Sequence, residues 1–359
     1  MADAKSIEAL SAVFTAGVAA GTGVSAGAPW ALSGLLLPLV ALPFFFQRRI
    51  LLLPGKSAVP LVLFSVFLLG FFCALCADVT LEQETALELQ ASATAERLKA
   101  LIGGIPFPSG GSAPLLTALF TGDRSGLPRE TVRVFRASGA SHILALSGLH
   151  MGILYLMLDK MSSPLGRSPT ARLIRAALLV LASGYFTLMT GAGPSIVRAF
   201  LFIVIGEALR LSGRPRQPLR VLCLALLVQL ALQPRVISSV GFQLSYLAMA
   251  GIFLLYPVLE KWYPPGSRWN PLRRIWQASA LSISCQLFTA PLVWLRFGTF
   301  PRHFLLTNLI AIPLVTALMW SAIATLGLSA LGCCPQLLIK ATDGLGRLLV
   351  WVLEVISGL

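Results

Sequence analysis

The chain is short of charge, and above all of negative charge. Only 12% of its 359 residues are charged, about half the share found in an average soluble domain, and 28 basic residues stand against 14 acidic ones. Apolar residues make up 56% of the chain, and the mean hydropathy is +0.82. So little polar surface cannot cover a water-soluble globule of 38.3 kDa. The composition excludes disordered, collagen-like, coiled-coil and disulfide-rich secreted proteins, and it predicts an all-α polytopic membrane protein.

Residues for metal-dependent and nucleotide-dependent chemistry are also scarce. The sequence has three histidines and contains no His-Glu-x-x-His motif. Gly55-Lys56-Ser57 resembles the end of a phosphate-binding loop, but Ile50 stands where that motif requires glycine. The six cysteines lie in apolar runs, which favours a packing role. We therefore expect no metal site, no cofactor and no ATP hydrolysis.

Apolar runs long enough to cross a bilayer recur along the chain. A helix needs about 20 residues to cross about 30 Å of hydrocarbon. We predict roughly nine to eleven transmembrane or re-entrant helices, with broken helices in the core and with Pro313 or Pro335 breaking one of the last two. The runs lie near residues 9–28, 30–46, 58–77, 140–158, 173–190, 195–211, 219–233, 240–259, 275–295, 303–329 and 335–358.

The basic residues predict the orientation of these spans. With the N-terminus inside, most of the 28 basic residues fall in cytoplasmic loops, as the positive-inside rule requires. Ala26-Gly27-Ala28 imitates a signal-peptidase site, but the preceding segment is poor in basic residues, so we expect an uncleaved first span. On this interpretation most of the net charge of +14 is a topology signal, not a DNA-binding footprint.

Polar residues interrupt two of the central spans. Ser147 and His150 are expected to share one helix face, while Gly148 and Gly152 would let another helix approach closely. The alternative is a packing helix with one satisfied polar cluster. Further along, Gly193-Pro194 breaks an apolar run, and Pro194 suits the first position of a restarting helix.

Arginine, glutamine and asparagine side chains add to the polar set. Ser195 and Arg198 lie one turn apart, and Arg198 either faces the bundle interior or snorkels to the outer interface. Gly241, Gln243 and Ser245 form a third polar stretch, whose alternative role is bonding between helices. Residues 289–313, with Pro291, Asn308 and Pro313, mark another broken pair. Polar groups on at least four helices are what a hydrated pathway needs.

Residues 142–154 closely resemble the signature of the ComEC-type competence family, bacterial membrane channel proteins for DNA uptake. Further matching motifs follow in the same order over roughly residues 95–330, namely 119–126, 139–142, 193–199, 241–245 and 290–313. The resemblance implies passage of single-stranded DNA across the inner membrane during natural transformation. It places the chain in the bacterial cytoplasmic membrane, and the basic residues predict a cytoplasmic N-terminus.

Fuller members of the family look as though they carry an OB-like domain that receives DNA and a metallo-β-lactamase-like domain that degrades the other strand. Residues 78–113 are too few for an OB fold, and the chain ends at Leu359, where the second module would begin. We therefore expect no enzyme activity in this chain. A separate DNA receptor, nuclease and cytoplasmic motor are the expected protein partners, beside single-stranded DNA and the lipid bilayer.

The resemblance divides the chain into four regions. Residues 1–77 are N-terminal spans, 78–139 an extracytoplasmic linker with amphipathic helices, 140–330 the channel module and 331–359 a C-terminal apolar helix. The alternatives are a transport-inactive scaffold subunit, a channel for another substrate, and an intramembrane hydrolase using Ser147 and His150. The residues expected to line or brace the DNA path are His142, Ser147, Gly148, His150, Pro194, Ser195, Arg198, Gly241, Gln243, Ser245 and Asn308.

Overall fold

The structure is a computed structural model that describes residues 2–23, 64, 66–71, 73–74, 86–166, 168–263, 270–298 and 300–358. The predicted span 30–46, part of the span 58–77 and the sequence Gly55-Lys56-Ser57 lie outside these residues. The described residues form fourteen α-helices and no strand. The predicted all-α class is confirmed.

The helices are numbered here in chain order. Two short 3₁₀ turns, Ser163–Leu165 and Pro234–Ser238, lie between them. The helices are α1 Ala2–Gly23, α2 Ala86–Gly104, α3 Ser112–Thr121, α4 Arg129–Ala137, α5 Ser141–Leu144, α6 Gly148–Met161, α7 Pro169–Met189, α8 Pro194–Leu211, α9 Pro218–Leu232, α10 Val240–Leu254, α11 Tyr256–Glu260, α12 Pro271–Phe297, α13 Phe304–Ala330 and α14 Gln336–Ser357.

Four helical segments of the described residues are long and apolar enough to cross a membrane. They are Pro169–Met189, Val240–Glu260, Pro271–Phe297 and Phe304–Ala330. Helices α12 and α13 each run for 27 residues, straight through Pro291 and Pro313. The breaks expected near those two prolines are therefore absent. The chain breaks instead between α5 and α6 and between α7 and α8, while Pro335 directly precedes α14.

The chain divides into two compact units. The first comprises residues 1–83 and 204–246. Within it, α1 packs against α9 and against the helical residues 66–71. Glycines permit the second contact, because a Cβ on Gly17 would collide with the carbonyl oxygen of Phe67 and one on Gly70 with that of Phe14. Small residues at such contacts allow the close van der Waals packing that holds helices together in lipid.

The second unit comprises residues 84–203 and 247–359. Its apolar core brings α3, α4 and α5 against α13 and α14. Leu119, Phe135, Ile143 and Leu349, which come from four of these helices, are fully buried. Ser138 at the end of α4 is tied to α13, because the Thr307 hydroxyl donates to its carbonyl oxygen at 2.7 Å. The short helices before the signature stretch are thus part of the main core.

Helix α14 carries charge on an otherwise apolar sequence, and its Asp343 is fully buried. One carboxylate oxygen accepts hydrogen bonds from the Ser112 hydroxyl at 2.7 Å, from the Ser109 backbone N–H at 3.2 Å and from the Ser109 hydroxyl. Arg347 Nε lies 3.2 Å from the other oxygen. Because Ser112 begins α3, the carboxylate lies at the N-terminus of that helix, where the helix dipole favours negative charge.

Candidate functional site

The predicted span 140–158 is interrupted inside the signature stretch. Helix α5 ends at Leu144, and α6 begins at Gly148. Ser147 has extended backbone angles (φ −131°, ψ 171°), and its hydroxyl accepts the Leu149 N–H at 3.3 Å. Serine is among the preferred residues at this capping position. Ser147 therefore caps α6, and it meets His150 from the capping position instead of from within the helix.

His150 completes the cap and is fully buried. Its Nδ1 accepts the Ser147 backbone N–H at 3.4 Å and lies 3.2 Å from the Ser147 hydroxyl oxygen. Because Nδ1 is an acceptor, the neutral ring carries its proton on Nε2. That Nε2 is buried and has no hydrogen-bond partner among the residues the structure describes. The ring thus offers one buried donor beyond the cap.

Arg198 comes from the second interruption. Helix α7 ends at Met189, Gly191 and Ala192 adopt positive φ (75° and 48°), and α8 begins at Pro194 as predicted. The backbone N–H groups of residues 196 and 197 bond back to the Gly193 carbonyl, at 2.9 and 3.0 Å. Arg198, the fifth residue of α8, is only 7% exposed. Of the two alternatives for this arginine, the structure favours the interior one over snorkelling.

Gly148 brings the two interruptions together. A Cβ on Gly148 would lie 3.0 Å from Arg198 Nη2 and 3.8 Å from Ala199 Cβ. Nothing lies within 4 Å of a Cβ on Gly152, so the expected stripe of small residues makes its close contact only at Gly148. The guanidinium thus lies beside the N-terminus of a 14-residue helix. A helix N-terminus and a cation both attract negative charge, so this is an anion-binding arrangement.

Further buried polar atoms lie on the other helices of the second unit. Ser183 Oγ on α7, Gln286 Nε2 on α12 and Asn308 Oδ1 on α13 have no hydrogen-bond partner within the described ranges. Helix α6 contacts α7 and α13, and α13 contacts α12. Such atoms are few in native proteins, because each costs about 1–3 kcal/mol when unsatisfied. Water or a polar ligand would satisfy them. Sequence reasoning missed Ser183 and Gln286, whose only signal is one polar residue in an apolar run.

The remaining candidates have local roles or lie in the first unit. His142 is exposed, and its Nδ1 lies 3.3 Å from the Gly139 carbonyl oxygen. In the first unit, Gln243 donates from Nε2 to the Ile237 carbonyl at 2.8 Å, which fastens the preceding 3₁₀ turn to α10. Near it on α10, the Tyr246 hydroxyl donates to Gln229 at 2.9 Å, a buried pair that the sequence did not indicate.

Three other candidates are partly buried or exposed. Ser195 on α8 and Ser245 on α10 are half-buried and engaged in interactions of their own. Gly241 is exposed, and a Cβ there would meet only Ser239 Oγ, at 3.7 Å. Its backbone therefore leaves room for a side chain, in contrast to Gly148.

The site meets some, but not all, requirements of hydrolytic chemistry. Ser147 Oγ lies 3.2 Å from His150 Nδ1, which brings together the two residues of the hydrolase alternative. A catalytic histidine needs a third group that orients its other nitrogen, and His150 Nε2 has none in the described part of the chain. Within the same residues, no group of three His, Cys, Asp or Glu side chains is placed to hold a metal ion.

These features define a multi-pass helical membrane protein with two interrupted helices and several buried polar side chains. Comparison with known proteins identifies it further. The chain belongs to the competence protein family, whose family model matches residues 119–359. No solved structure matches it significantly.

Three relatives show the extent of the similarity. ComE operon protein 3 of Bacillus subtilis is 27% identical over 205 residues, which is 57% of this chain and 25% of that protein. Recombination protein 2 of Haemophilus influenzae is 25% identical over 220 residues, 57% of this chain and 27% of that protein. An uncharacterized protein of Aquifex aeolicus is 29% identical over 245 residues, 67% of this chain and 53% of that protein. The matched region thus spans about a quarter to a half of these relatives.

Proposed function

We propose that this chain is the channel part of a DNA-uptake system and that it conducts a single DNA strand across the bacterial inner membrane. Membership in the competence protein family supports a role in DNA uptake. The interrupted helices and buried polar atoms of the second unit support a polar path through it. Because the chain matches only part of its relatives, the activity of the whole proteins is carried over here as a proposal.

The arrangement at the start of α6 carries the proposal. Gly148 admits the Arg198 guanidinium to the helix N-terminus, and His150 on the same first turn offers a buried Nε2–H donor. A phosphate group accepts hydrogen bonds strongly from arginine and is stabilised by the dipole of a helix N-terminus. Each phosphodiester of a passing strand would be bound at this point and then released to the next.

The neutral polar atoms fit the rest of such a path. Placing an ion in the hydrocarbon core costs free energy, and polar groups that face a water-filled cavity lower this free energy. Ser183, Gln286 and Asn308 supply uncharged donors and acceptors. Uncharged groups bind a phosphate weakly, which conduction requires, because a site that binds too tightly does not release. We infer that water occupies the interior between them.

The remaining components are assigned to other proteins. The sequence has no complete nucleotide-hydrolysing motif, so we propose that a separate cytoplasmic motor pulls the strand. A separate receptor and nuclease are proposed as further partners. We also propose that this chain is not an enzyme, because His150 lacks an orienting partner among the described residues and Ser147 serves as a helix cap.

Replacement of Arg198 tests the channel. In a transformable bacterium whose own copy of this gene is deleted, Arg198→Gln is expected to lower internalisation of labelled DNA about 10- to 100-fold. This corresponds to losing one charge-assisted hydrogen bond of about 1.5–3 kcal/mol. Arg198→Lys, which keeps the charge, should lose less. Membrane abundance and thermal stability in detergent separate loss of function from misfolding.

Two outcomes decide between the channel and its alternatives. Internalisation that survives deletion of the gene, or that is unchanged in a well-folded Arg198→Gln protein, would contradict the channel. Ser147→Asn keeps a good capping residue but removes the hydroxyl. Normal DNA internalisation by Ser147→Asn is expected, whereas its loss would favour the hydrolase.

A further inference from the structure

Helix α4 presents three arginines on one exposed face. Arg129, Arg133 and Arg136 are spaced at i, i+4 and i+7, which places them on the same side of a helix. All three are exposed, whereas Val134 and Phe135 on the opposite side are at most 1% exposed and belong to the core of the second unit. These three residues are called the arginine face below.

Two more arginines flank the arginine face. Arg124 is exposed and donates from Nε to the Leu144 carbonyl at 3.1 Å, which holds it near the end of α5. After α4, Gly139 turns the chain with a φ of 83° against Pro301, so that a Cβ on Gly139 would lie 2.8 Å from Pro301 Cβ. The contact brings the exposed Arg302, the residue after Pro301, to the C-terminal end of α4.

Among the described residues of α4 and of the loop before it, negative charge is weak. Glu130, the acidic residue of α4, makes one long ion pair of 3.8 Å with Arg133, and both side chains are about two-thirds exposed. Asp123, just before the helix, pairs with Lys99 of α2 at 2.7 Å instead. Exposed pairs of this kind contribute about 0–1 kcal/mol. The surface therefore keeps a strong net positive charge.

The topology rule does not explain this cluster. The positive-inside rule concentrates basic residues in cytoplasmic loops. Residues 124–136, however, lie in the linker that the sequence places on the extracytoplasmic side. The apolar face of α4 is packed inside the protein, so this helix lacks the free apolar face with which an amphipathic helix enters a bilayer. Arginine binds phosphate groups through a planar fork of donors.

We propose that the arginine face receives single-stranded DNA, binding its phosphates before the strand enters the membrane. The proposal rests on the proposed function and adds to it a docking surface outside the α6 site. It assigns to this chain a capture step that we expected a separate receptor to supply. The occupant is a single strand, because that is the form the proposed channel conducts, and phosphate contacts by arginine tolerate an unpaired, flexible backbone.

Equilibrium binding tests the proposal without requiring transport. The full chain is placed in phosphatidylcholine nanodiscs, and binding of a fluorescent oligothymidylate is followed by anisotropy between about 50 and 200 mM salt, a range over which phosphate contacts weaken strongly. The variant is Arg129→Gln, Arg133→Gln and Arg136→Gln together. The matched control is Arg172→Gln, Arg214→Gln and Lys261→Gln, three exposed residues on the predicted cytoplasmic side.

The arginine-face variant is expected to bind more weakly and with less salt dependence. Each phosphate contact of a single strand contributes about 0.7 to the slope of log affinity against log salt, so losing three lowers the slope by about 2. The affinity of the parent should therefore fall about 20-fold more than that of the variant over this fourfold change in salt. The control should bind as the parent does.

Three results would overturn the proposal. The first is unchanged affinity in the arginine-face variant, and the second is an equal loss in the control, which would indicate only net charge. The third combines two observations: the variant binds the oligonucleotide as the parent does, and phosphatidylglycerol bilayers stabilise the parent but not the variant. This result would mean that the arginines bind lipid headgroups. A chain that binds the oligonucleotide through these arginines but transports none would refute the channel and leave the docking surface standing.

Discussion

At the scale of single residues, the structure depends on a buried carboxylate far from the signature stretch. Asp343 accepts three hydrogen bonds from Ser109 and Ser112 at the start of α3, and Arg347 lies beside it. These contacts stabilise the negative charge of the Asp343 carboxylate, give the two serine hydroxyls an acceptor, and hold α14 to α3. Burying a carboxylate is costly unless it is paired and hydrogen-bonded, and here one oxygen accepts all three hydrogen bonds while the other has the ion pair with Arg347.

Replacement of Asp343 should accordingly be costly. Asp343→Ala leaves the serine donors without their acceptor, and we expect a loss of about 3–5 kcal/mol in the free energy of unfolding, as for other broken buried pairs. Asp343→Asn, which keeps one acceptor oxygen, should lose less. The measurement is thermal unfolding in detergent. Arg347→Gln is the control, since this side chain is 67% exposed and should cost less than about 1 kcal/mol.

At the scale of elements, the two interruptions position the candidate site. Without the break at Ser147, α5 and α6 would form one helix, and no helix N-terminus would lie beside Arg198. Without Gly193-Pro194, Arg198 would lie in the middle of a long helix instead of near the start of α8. Both breaks use local chemistry, a serine cap in one case and a proline after two positive-φ residues in the other.

The end of α2 and the loop after α3 are joined by an ion pair that titrates. Lys99 Nζ lies 2.7 Å from Asp123, and its ammonium holds the pKa of that carboxyl well below the usual range, with help from the Ser125 backbone N–H. A lowered pKa means that the carboxylate stabilises the fold at neutral pH. That contribution is lost as the pH falls below the unfolded value of about 4 toward the folded one.

Lys99→Met should therefore destabilise the protein at neutral pH and less so in acid. The expected loss at pH 7 is under about 1 kcal/mol, because the two side chains are 27% and 32% exposed and the pair is screened by solvent. Below pH 4 the difference from the parent should shrink. Unfolding curves of the parent and of Lys99→Met at pH 7 and below pH 4 measure this difference in stability. A difference that stays constant with pH would contradict the role of Asp123.

At the scale of the whole molecule, the prediction concerns sidedness. If the N-terminus is cytoplasmic, α4 faces outward and the loop that contains Arg214 faces the cytoplasm. In a chain whose six cysteines are replaced by serine, Arg133→Cys should react with a membrane-impermeant maleimide in intact cells, and Arg214→Cys should not. Both residues are exposed, so access to the reagent depends on the side of the membrane. The reverse pattern would invert the orientation and remove the basis for the docking surface.

The sequence by itself determined the membrane class, the family and the break at Gly193-Pro194. Each of these depends on properties that need no tertiary contact, namely the apolarity of a run, the fixed φ of proline and the order of the motifs. It did not determine the break at Ser147, because residues 140–158 were predicted as one span and serine is tolerated within apolar helices. It also wrongly indicated breaks at Pro291 and Pro313, which α12 and α13 accommodate.

Only the tertiary structure decided which polar residues meet. Gly148 and Arg198 are 50 positions apart in the sequence, and Ser109 and Asp343 are 234 apart. Their contacts exist because helices from distant parts of the chain pack together. The same holds for charge. The sequence placed three arginines of residues 129–136 outside the membrane, and the packing of Val134 and Phe135 into the core left those arginines on one exposed face. Local preference fixes where a helix begins, but burial and proximity are properties of the packed chain.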